Sequence, residues 1–306
     1  MTRKRLRERA RVCAEVRRFF DARGFLEVQT PILVPSPGLD VHLDAFEVVG
    51  GDRGSPRWLS TSPEYQMKRL VAEGLGRIYQ IAPCFRRGES GARHNPEFTL
   101  VEWYRSGAGM AEVMADTEQL VAAVTGAVVR LGDRVVDVAP PFERLGVCEA
   151  FARFVGWSPE ETLAAAASDE ERYFRALVDR VEPALAAAPR AVFLVDYPVT
   201  QASLARRKPG DPRLAERFEL YVAGVELCNG FGELVDPVEQ RARLIGNQET
   251  RREKGLPIYP IDERFLAALE RMPPSGGNAL GLDRLVALAC GTTDIADVLA
   301  FTADEV

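Results

Sequence analysis

The chain has 306 residues, of which 46% are hydrophobic, and it carries a formal net charge of −6. This acidic balance disfavours broad nucleic-acid binding, which usually needs a basic face. The five cysteines are scattered and form no CxxC pair, which indicates a reducing compartment. The two histidines, His42 and His94, lie too far apart to suggest a histidine-based zinc site. Because the sequence has neither a membrane-spanning apolar run nor a signal peptide, we expect a soluble cytoplasmic protein.

The chain begins with a predicted amphipathic helix over residues 3–23, which Gly24 ends. Its predicted apolar face comprises Leu6, Ala10, Cys13, Val16 and Phe20. A strand over residues 25–30 is predicted to follow and to stop at Pro31. The helix is locally basic, and this basic face either docks an acidic partner or is simply solvated.

The elements predicted beyond Pro31 mix strands and helices without regular alternation. They are loop and a short hairpin over 35–57, a helix from Pro63 to about Ala72, an antiparallel strand pair within 78–104, a helix over 110–129, an alanine-rich helical insertion over about 140–190, a strand over 191–197, a hairpin over 217–227, and helices over 236–254 and 262–271. This order favours an α+β fold around one antiparallel sheet flanked by helices. A doubly wound fold would need regular strand–helix alternation. Neither a Walker A sequence nor an early GxGxxG motif is present.

A glycine-rich stretch runs from Ser275 to Leu285 and ends in Asp283-Arg284 before an apolar helical run. Glycines let a backbone pass close to a ligand, and the helix would fix Arg284 in place. A rigid arginine beside a glycine-floored slot suits a phosphate or a purine ring. A plain structural turn is the alternative interpretation.

A charged loop lies between the two strands of the 78–104 pair, with Arg86 at the end of the first strand. A guanidinium held there can bind an α-phosphate through two hydrogen bonds. The alternative is a solvated hairpin loop, although the string from His94 to Thr99 is unusual for one.

The 217–227 hairpin is predicted to turn at Ala223-Gly224, which places Tyr221 opposite Glu226. Glu219 then lies on the same face as Glu226. Two carboxylates on one face repel unless a cation lies between them, and magnesium bridging phosphate oxygens is the natural candidate. An exposed hairpin face with solvated acids is the alternative.

Acidic side chains also occur in apolar or turn contexts, at Glu64, Glu102 and Glu233, with Tyr104 near them in sequence. Glu102 interrupts an apolar strand, and a buried acid needs a partner or stays protonated. Several acids around one cavity would suit a ligand with two ammonium groups. For each acid, an internal salt bridge is the alternative.

Together, these stretches resemble the three signature motifs of class II aminoacyl-tRNA synthetases. The first helix, the strand and Pro31 resemble motif 1, residues 85–98 resemble motif 2, and the glycine stretch ending in Asp283-Arg284 resembles motif 3. Ser62-Pro-Glu-Tyr-Gln-Met-Lys-Arg, His94-Asn-Pro-Glu-Phe-Thr and Glu226-Leu-Cys-Asn-Gly-Phe-Gly-Glu-Leu are similar to the lysyl-specific branch. The likeness spans nearly the whole chain and is weakest over 140–190.

The resemblance implies ATP and Mg²⁺ as cofactors and assigns a role to each matching residue. Residues implied to bind ATP are Arg86, Glu89, His94, Asn95, Phe98, Glu226, Leu227, Gly281 and Arg284, of which Arg86, Glu226 and Arg284 are implied to be catalytic. Residues implied to bind magnesium are Glu219 and Glu226. Residues implied to form the lysine-type pocket are Ser62, Pro63, Glu64, Glu102, Tyr104, Asn229, Glu233 and Ala279.

The sequence departs from the family pattern at two places. Motif 2 usually reads Arg-x-Glu, whereas Arg86 is followed here by Arg87-Gly88-Glu89, so Glu89 is the candidate replacement for the missing acid. Lysyl-tRNA synthetases have glycine where this chain has Ala279. A methyl group on the pocket floor would favour a β-amino isomer over α-lysine, and a neutral substitution is the alternative.

The chain begins at the motif 1 helix, so we expect one catalytic domain over 1–306 without an anticodon-binding domain. In this respect it resembles the stand-alone synthetase paralogues that attach (R)-β-lysine to elongation factor P. The resemblance implies (R)-β-lysine or lysine as substrate, a lysine side chain of elongation factor P rather than tRNA as acceptor, and a homodimer through residues 1–31. Two alternatives stay open: a truncated synthetase that charges tRNA, and a non-catalytic amino-acid sensor.

Overall fold

The computed structural model describes residues 3–50 and 55–306. The helices are α1 Arg3–Asp21, α2 Glu64–Ala72, α3 Met110–Thr125, α4 Val147–Phe154, α5 Pro159–Ser168, α6 Glu170–Ala176, α7 Glu182–Ala187, α8 Pro237–Glu253, α9 Glu263–Leu269 and α10 Leu282–Ala289, with a π-helical turn Leu177–Val181 between α6 and α7. The strands are β1 Leu26–Glu27, β2 Leu33–Val34, β3 Glu47–Val48, β4 Arg57–Leu59, β5 Arg77–Phe85, β6 Glu97–Ser106, β7 Val128–Leu131, β8 Arg134–Asp137, β9 Glu143–Gly146, β10 Val192–Pro198, β11 Arg207–Lys208, β12 Asp211–Val222, β13 Val225–Gly232 and β14 Ser275–Gly281. None of the helices in these two ranges combines the length and apolar character that a membrane crossing requires.

A nine-stranded sheet forms the centre of the molecule, in the order β1-β5-β6-β14-β13-β12-β10-β9, with β11 paired to β12. The strands from β5 to β10 along this path pair antiparallel. The predicted α+β fold is therefore confirmed. The sheet is nevertheless mixed, because β1 joins β5, and β9 joins β10, in parallel.

The two faces of this sheet have different chemistry because successive strand side chains point to opposite sides. On β6, Val101 and Trp103 lie in the apolar core together with Phe20 of α1 and with residues of α3 and α10. Glu102 and Tyr104 alternate with them and point to the other face, where Tyr104 packs against α2 and α9. This alternation explains how an acid can interrupt an apolar strand without disturbing the core.

Several predicted boundaries need correction. In α1 the buried residues are Val12, Val16, Phe19 and Phe20, whereas Leu6 and Ala10 are exposed, because the face that meets the sheet is rotated from the predicted one. The strand predicted over 25–30 pairs only at Leu26–Glu27. The helix predicted over 110–129 ends at Thr125, where Gly126 adopts a φ of 77° and the chain turns into β7.

The alanine-rich segment is helical over most of 147–187, as predicted, but it begins with strand β9 on the central sheet. Its helices share an apolar cluster with β10 and Tyr221 of β12, so the segment is joined to the sheet along its edge. The predicted hairpin within 35–57 appears as the β3–β4 pair, and residues 51–54 lie outside the described residues.

Arg251 of α8 fixes the loop over residues 36–44, which forms one wall of the cavity discussed below. Its guanidinium is fully buried and donates to the carbonyl oxygens of Asp40 and Leu43 at 2.7 and 3.0 Å and to the carboxylate of Asp44. Asn247 of the same helix donates to the carbonyl oxygen of Leu39 at 2.7 Å. One arginine thus satisfies backbone acceptors that would otherwise be buried without partners.

We expect Arg251→Met to lower the free energy of unfolding by about 3 kcal/mol, because the carbonyl oxygens of Asp40 and Leu43 lose a charged donor and the Asp44 carboxylate keeps only Arg87 as a cationic partner. The measurement is urea denaturation followed by circular dichroism. Arg252→Met is the matched control, since the neighbouring Arg252 is exposed and should change stability by less than about 0.5 kcal/mol. Equal effects of the two substitutions would contradict this role of Arg251.

Candidate active site

A cavity of about 680 Å³ opens on the polar face of the sheet and collects most of the predicted site residues. Those that line it are Ser62, Glu64, Arg86, Glu89, His94, Asn95, Phe98, Glu219, Glu226, Leu227, Asn229, Ala279, Gly281 and Arg284. Four predicted residues, Pro63, Glu102, Tyr104 and Glu233, are not part of the lining and are buried. The sequence motifs thus converge in space: Arg86 and Arg284 define a cationic end, where Glu89 and Glu226 lie beside them, and Glu64, Glu102 and Glu233 define an acidic end.

Arg86 lies at the cationic end, directly after β5, where the predicted strand pair is confirmed by the register Phe85↔Glu97. Its backbone N–H donates to the carbonyl oxygen of Pro96 at 2.9 Å, which extends the strand pairing by one step. Its guanidinium carbon lies 4.9 Å from the centre of the Phe98 ring. Strand pairing and the aromatic contact therefore hold Arg86 at a defined position.

Glu89 approaches Arg86 despite the altered spacing of the loop. The Glu89 carboxylate lies 3.7 Å from the Arg86 guanidinium, and both side chains are about one-quarter exposed. Gly88 makes this return possible, because its φ of 86° is a conformation that side chains with a Cβ rarely adopt. An acid therefore stands beside Arg86 in this loop.

Arg284 lies in the first turn of α10 and already has protein partners. It donates to the carbonyl oxygen of Glu226 at 2.6 Å and contacts Nε2 of His94 at 2.9 Å. Burial and the Arg284 charge lower the pKa of His94, so a neutral ring nitrogen accepts this hydrogen bond. The helix predicted to fix Arg284 is thus confirmed, and a phosphate arriving here would replace protein acceptors.

Asp283, beside Arg284, joins the third motif to the second and has a structural role that sequence reasoning missed. Its carboxylate accepts from the backbone N–H of Thr99 at 2.7 Å and forms an ion pair with Arg9 of α1. It is nearly buried, with 4% of the side chain exposed. The basic residues of α1 gave no sequence signal for this contact, because the partners are far apart in the chain.

The β12–β13 hairpin has the predicted register, with Tyr221 opposite Glu226. Ala223 and Gly224 form its turn with φ values of 54° and 80°, as a two-residue turn of this hand requires. A bulge leaves Leu227 unpaired between the Leu220↔Cys228 and Tyr221↔Glu226 pairs. Because of this extra residue, Asn229 points to the same face as Glu226, three positions earlier.

Glu219 is buried and already neutralised by the protein. Its carboxylate lies 2.6 Å from the Arg217 guanidinium and accepts from the hydroxyls of Tyr197 and Tyr221 at 2.6 and 2.8 Å. Arg217 therefore supplies a cation that offsets the repulsion between Glu219 and Glu226, and the magnesium site predicted at these two residues stays a prediction. An exposed hairpin face is excluded, since Glu219 is only 7% exposed.

Glu226 has the more available carboxylate of this pair, with 44% of its side chain exposed and its nearest cation, Arg284, 3.7 Å away. Partial burial and the charge of Glu219 raise its pKa above the usual value of a glutamate. Within residues 3–50 and 55–306, no group of three or more His, Cys, Asp or Glu side chains could hold a metal ion. A magnesium ion at Glu226 would therefore take its other ligands from phosphate oxygens and water.

The acidic end of the site is centred on Glu102, whose side chain lies behind the cavity wall. It accepts from Ser62 Oγ at 2.7 Å and from the Tyr104 hydroxyl at 2.6 Å. Burial and the nearby charge of Glu64 raise its pKa to about 8. Glu102 has no cation of its own among these hydrogen-bond partners, so a positively charged ligand group would stabilise its ionised form.

Lys68 of α2 is a site residue that sequence reasoning missed. Its ammonium group is 1% exposed and lies 2.6 Å from the carboxylates of both Glu64 and Glu233. The internal salt bridge, which was the alternative interpretation for each acid, is thus present for Glu64 and Glu233. The four-residue spacing of Glu64 and Lys68 on a helix was a usable signal, but nothing local indicated Glu233.

Near the pocket, Oδ1 of Asn229 and both carboxylate oxygens of Glu233 are buried and have no hydrogen-bond donor among the described residues. The Oε2 atom of Glu233 nevertheless lies 2.6 Å from the Lys68 ammonium group in an ion pair. Buried acceptors without donors are uncommon, and Asn229 lines the cavity, so its amide oxygen is available to a donor on a ligand.

Ala279 lies on β14 between two of these side chains, opposite Glu102 on β6 and Asn229 on β13. Cross-strand neighbours project to the same face, so its methyl group lies on the floor between the acid and the amide. The cavity lining includes it.

The glycines of the third motif make room for protein side chains rather than for a ligand, which corrects the interpretation of Gly276 and Gly277. A Cβ added at Gly277 would lie 2.3 Å from Glu233 Oε1 and 2.4 Å from the Tyr104 ring. One added at Gly276 would lie 2.5 Å from a methyl carbon of Val113 on α3. Their missing side chains let the buried acid and the helix approach β14.

The antiparallel sheet, the strand-end arginine and the arginine of the helix after β14 define a catalytic domain of the class II synthetase type. The chain belongs to the class II tRNA synthetases (D, K and N), whose family model matches residues 1–305. The family predicted from the sequence is thus confirmed, and with it an enzyme of the synthetase-related ligase type.

Curated relatives are similar over nearly their whole length. The chain is 40% identical to the elongation factor P–(R)-β-lysine ligase of Haemophilus influenzae strain PittGG, over 99% of this chain and 96% of that protein. It is 40% identical to the protein of that name from Klebsiella pneumoniae strain 342, over 98% and 95% of the two chains. For the one from Proteus mirabilis strain HI4320 the identity is 41%, over 97% and 94%.

We expect Gly277→Ala to destabilise the protein by about 1–3 kcal/mol, because the new methyl group would displace Glu233 or Tyr104 from a packed site. Gly246→Ala is the matched control: a Cβ there meets no atom within 4 Å, and its position inside α8 favours alanine by about 1 kcal/mol. Thermal unfolding of both variants is the measurement. A neutral Gly277→Ala would contradict the close packing described for this pocket.

Proposed function

We propose that this protein activates (R)-β-lysine, or lysine, with ATP and transfers the aminoacyl group to a lysine side chain of elongation factor P. The relatives carry that activity in their names. The observation that carries the proposal is that one cavity brings the donor-free buried amide oxygen of Asn229 and the acid Glu64 together with Arg86 and Arg284. Such a pocket suits a diamino acid whose carboxylate reaches the arginines.

ATP would bind at the cationic end. Arg86 would contact the α-phosphate, His94 and Arg284 the outer phosphates, and Phe98 and Asn95 the adenine. Glu89 would take the place of the usual motif 2 acid, and Leu227 and Gly281 would line the nucleotide site. Glu226, assisted by Glu219, would hold Mg²⁺, which supplies charge neutralisation to the phosphates when bound.

The reaction would proceed in two steps within this cavity. In the first, the amino-acid carboxylate attacks the α-phosphorus of ATP, an aminoacyl-adenylate forms, and pyrophosphate leaves. Arg86 stabilises the negative charge that develops on the α-phosphate. In the second, the neutral amine of the acceptor lysine attacks the carbonyl carbon, an amide bond forms, and AMP leaves with the proton released to solvent. Positioning and electrostatics suffice for both steps.

We also infer a single catalytic domain that forms a homodimer through its N-terminal helix and the strands after it. Leu6, Leu26 and Leu33 support this inference, since they are large apolar side chains with 46%, 54% and 47% of their surface exposed. An apolar patch of this kind is typical of a protein–protein contact.

The test is the intact mass of elongation factor P after incubation with the protein, ATP, Mg²⁺ and (R)-β-lysine. We expect a mass gain of one lysyl unit on the factor. Arg86→Ala should lower the rate of this modification by about a hundredfold or more, because the α-phosphate loses its cation. Arg87→Ala is the matched control, since this neighbour is half exposed, pairs with Asp44 and should retain activity.

Parallel reactions separate the alternatives. Charged tRNA in place of modified factor would replace the proposal with the truncated synthetase. Lysine binding without pyrophosphate release in any reaction would indicate the amino-acid sensor. Full activity of Arg86→Ala would contradict the proposed binding of the α-phosphate by Arg86 at the cationic end.

We expect Ala279→Gly to improve the use of α-lysine relative to (R)-β-lysine by about tenfold, because removing the methyl group returns space between Glu102 and Asn229. The measurement is kcat/KM for each isomer in ATP–pyrophosphate exchange. Ala82→Gly serves as a control, because Ala82 is a buried alanine on β5 outside the cavity lining. An unchanged isomer ratio in Ala279→Gly would mean that the methyl group does not set the preference.

A further inference from the structure

Lys68 is a buried cation to which neither the reaction nor the family motifs assigned a role. Its ammonium group is 1% exposed and lies 2.6 Å from Glu64 on its own helix and 2.6 Å from Glu233 after β13. It lies 6.0 Å from the centre of the Tyr104 ring, whose hydroxyl donates to Glu102. One fixed positive charge thus stands among the three acids of the pocket.

This ammonium group stays charged across the neutral range. Burial alone would lower the pKa of Lys68, but the charges of Glu233 and Glu64 outweigh burial and raise the pKa above its usual value. When all three acids are ionised, three carboxylates and one ammonium leave the pocket with a net charge of −2. A diamino acid brings two ammonium groups, so this charge matches such a ligand.

We propose that Lys68 is a positioning residue that favours the ionised form of Glu233 and holds Glu233 and Glu64 in place, and thereby sets the charge of the amino-acid pocket to match a diamino acid. This inference rests on the proposed function, because it needs lysine or a close isomer as the ligand. Lys68 would not touch the substrate. Its effect passes through Glu233, whose Oε2 lies 2.6 Å from the Lys68 ammonium group.

The groups around Glu233 show why Lys68 controls its ionisation. Burial is the largest influence and raises the pKa of Glu233 to about 7, with the charge of Glu64 acting in the same direction. Lys68 is the strongest opposing group, and Arg206 opposes more weakly. Without Lys68, a larger fraction of this carboxyl group would be protonated at neutral pH, and its attraction for an ammonium group would be weaker.

A role limited to packing is the rival interpretation, since the same ion pair ties α2 to the chain after β13. The two interpretations differ in their pH dependence. Loss of packing would weaken substrate binding equally at every pH. Loss of charge control would weaken substrate binding near pH 7 and much less near pH 8.5, because Glu233 loses its proton at the higher pH even without Lys68.

The sign of the pH effect follows from the raised pKa values. Glu102 and Glu233 are more protonated at pH 6.5 than at pH 8.5, because their pKa values lie near 8 and 7. Only the ionised forms pair with ammonium groups, so the KM for lysine of the unaltered protein should fall as the pH rises through this range. Lys68→Met should move this fall to higher pH.

The experiment is ATP–pyrophosphate exchange with lysine between pH 6.5 and 8.5. Lys68→Met should raise the KM for lysine by about fivefold at pH 7, because a rise of one unit in a pKa near 7 lowers the ionised fraction of Glu233 at that pH by about this factor. At pH 8.5, the KM for lysine of Lys68→Met divided by that of the unaltered protein should be at least about threefold smaller than at pH 7. The KM for ATP should be unchanged. Lys208→Met is the matched control, since Lys208 pairs with Asp196 outside the cavity lining and should leave every profile unchanged.

A second comparison covers the case in which Lys68→Met does not fold. Glu233→Gln and the double variant Lys68→Met/Glu233→Gln should have KM values for lysine within about threefold of each other, because Lys68 has lost the partner through which it acts. A double variant that is tenfold worse than Glu233→Gln, or a Lys68→Met defect independent of pH, would overturn the inference. If no diamino acid supports ATP–pyrophosphate exchange by the unaltered protein at any pH, the proposed function itself fails.

Discussion

Electrostatic repulsion among three neighbouring carboxylates is the constraint on which this site depends. Glu102 and Glu233 are buried, and Glu64 is about four-fifths buried beside them. Bringing such groups together out of water is unfavourable unless cations or hydrogen-bond donors compensate. Lys68 compensates two of them, and the hydroxyls of Ser62 and Tyr104 stabilise the third. The compensation is incomplete, and the remaining negative charge is what a doubly cationic ligand can use.

The opposite end of the cavity has the complementary arrangement. Arg86 and Arg284 are held by the backbone and by neighbouring side chains before any ligand arrives. Preorganised charges of this kind need little reorganisation during a reaction, which is why they can stabilise a transition state. A substrate with ammonium groups and a carboxylate would be oriented by the two ends together, with the carboxylate directed toward the arginines. Orientation therefore follows from charge separation along one cavity rather than from any single contact.

The sequence predicted those parts of the site that depend on local geometry. The hairpin register followed from Ala223-Gly224, and Arg86 at a strand end followed from the apolar run before it. The position of Arg284 followed in the same way from the apolar run of α10.

Contacts between distant parts of the chain could not be predicted in this way. The Lys68–Glu233 ion pair and the Arg9–Asp283 ion pair each join separate elements, and no periodicity encodes either. The bulge at Leu227, which turns Asn229 toward the cavity, also gave no sequence signal. The rotation of α1 that exposes Leu6 depends on how the helix packs on the sheet.

Selection of a substrate in this pocket would combine two physical effects with different origins. The negative charge of the acids, partly offset by Lys68, would distinguish ligands by their number of ammonium groups, whatever their shape. The methyl group of Ala279 would distinguish ligands by the position of the amino group along the chain, whatever their charge. Charge control acts over several ångströms and varies with pH, whereas a methyl contact is short-ranged and does not. In the proposed function, a lysine isomer that satisfies the charge would therefore still be disfavoured by shape, and one pocket would accept diamino acids as a class while preferring one isomer.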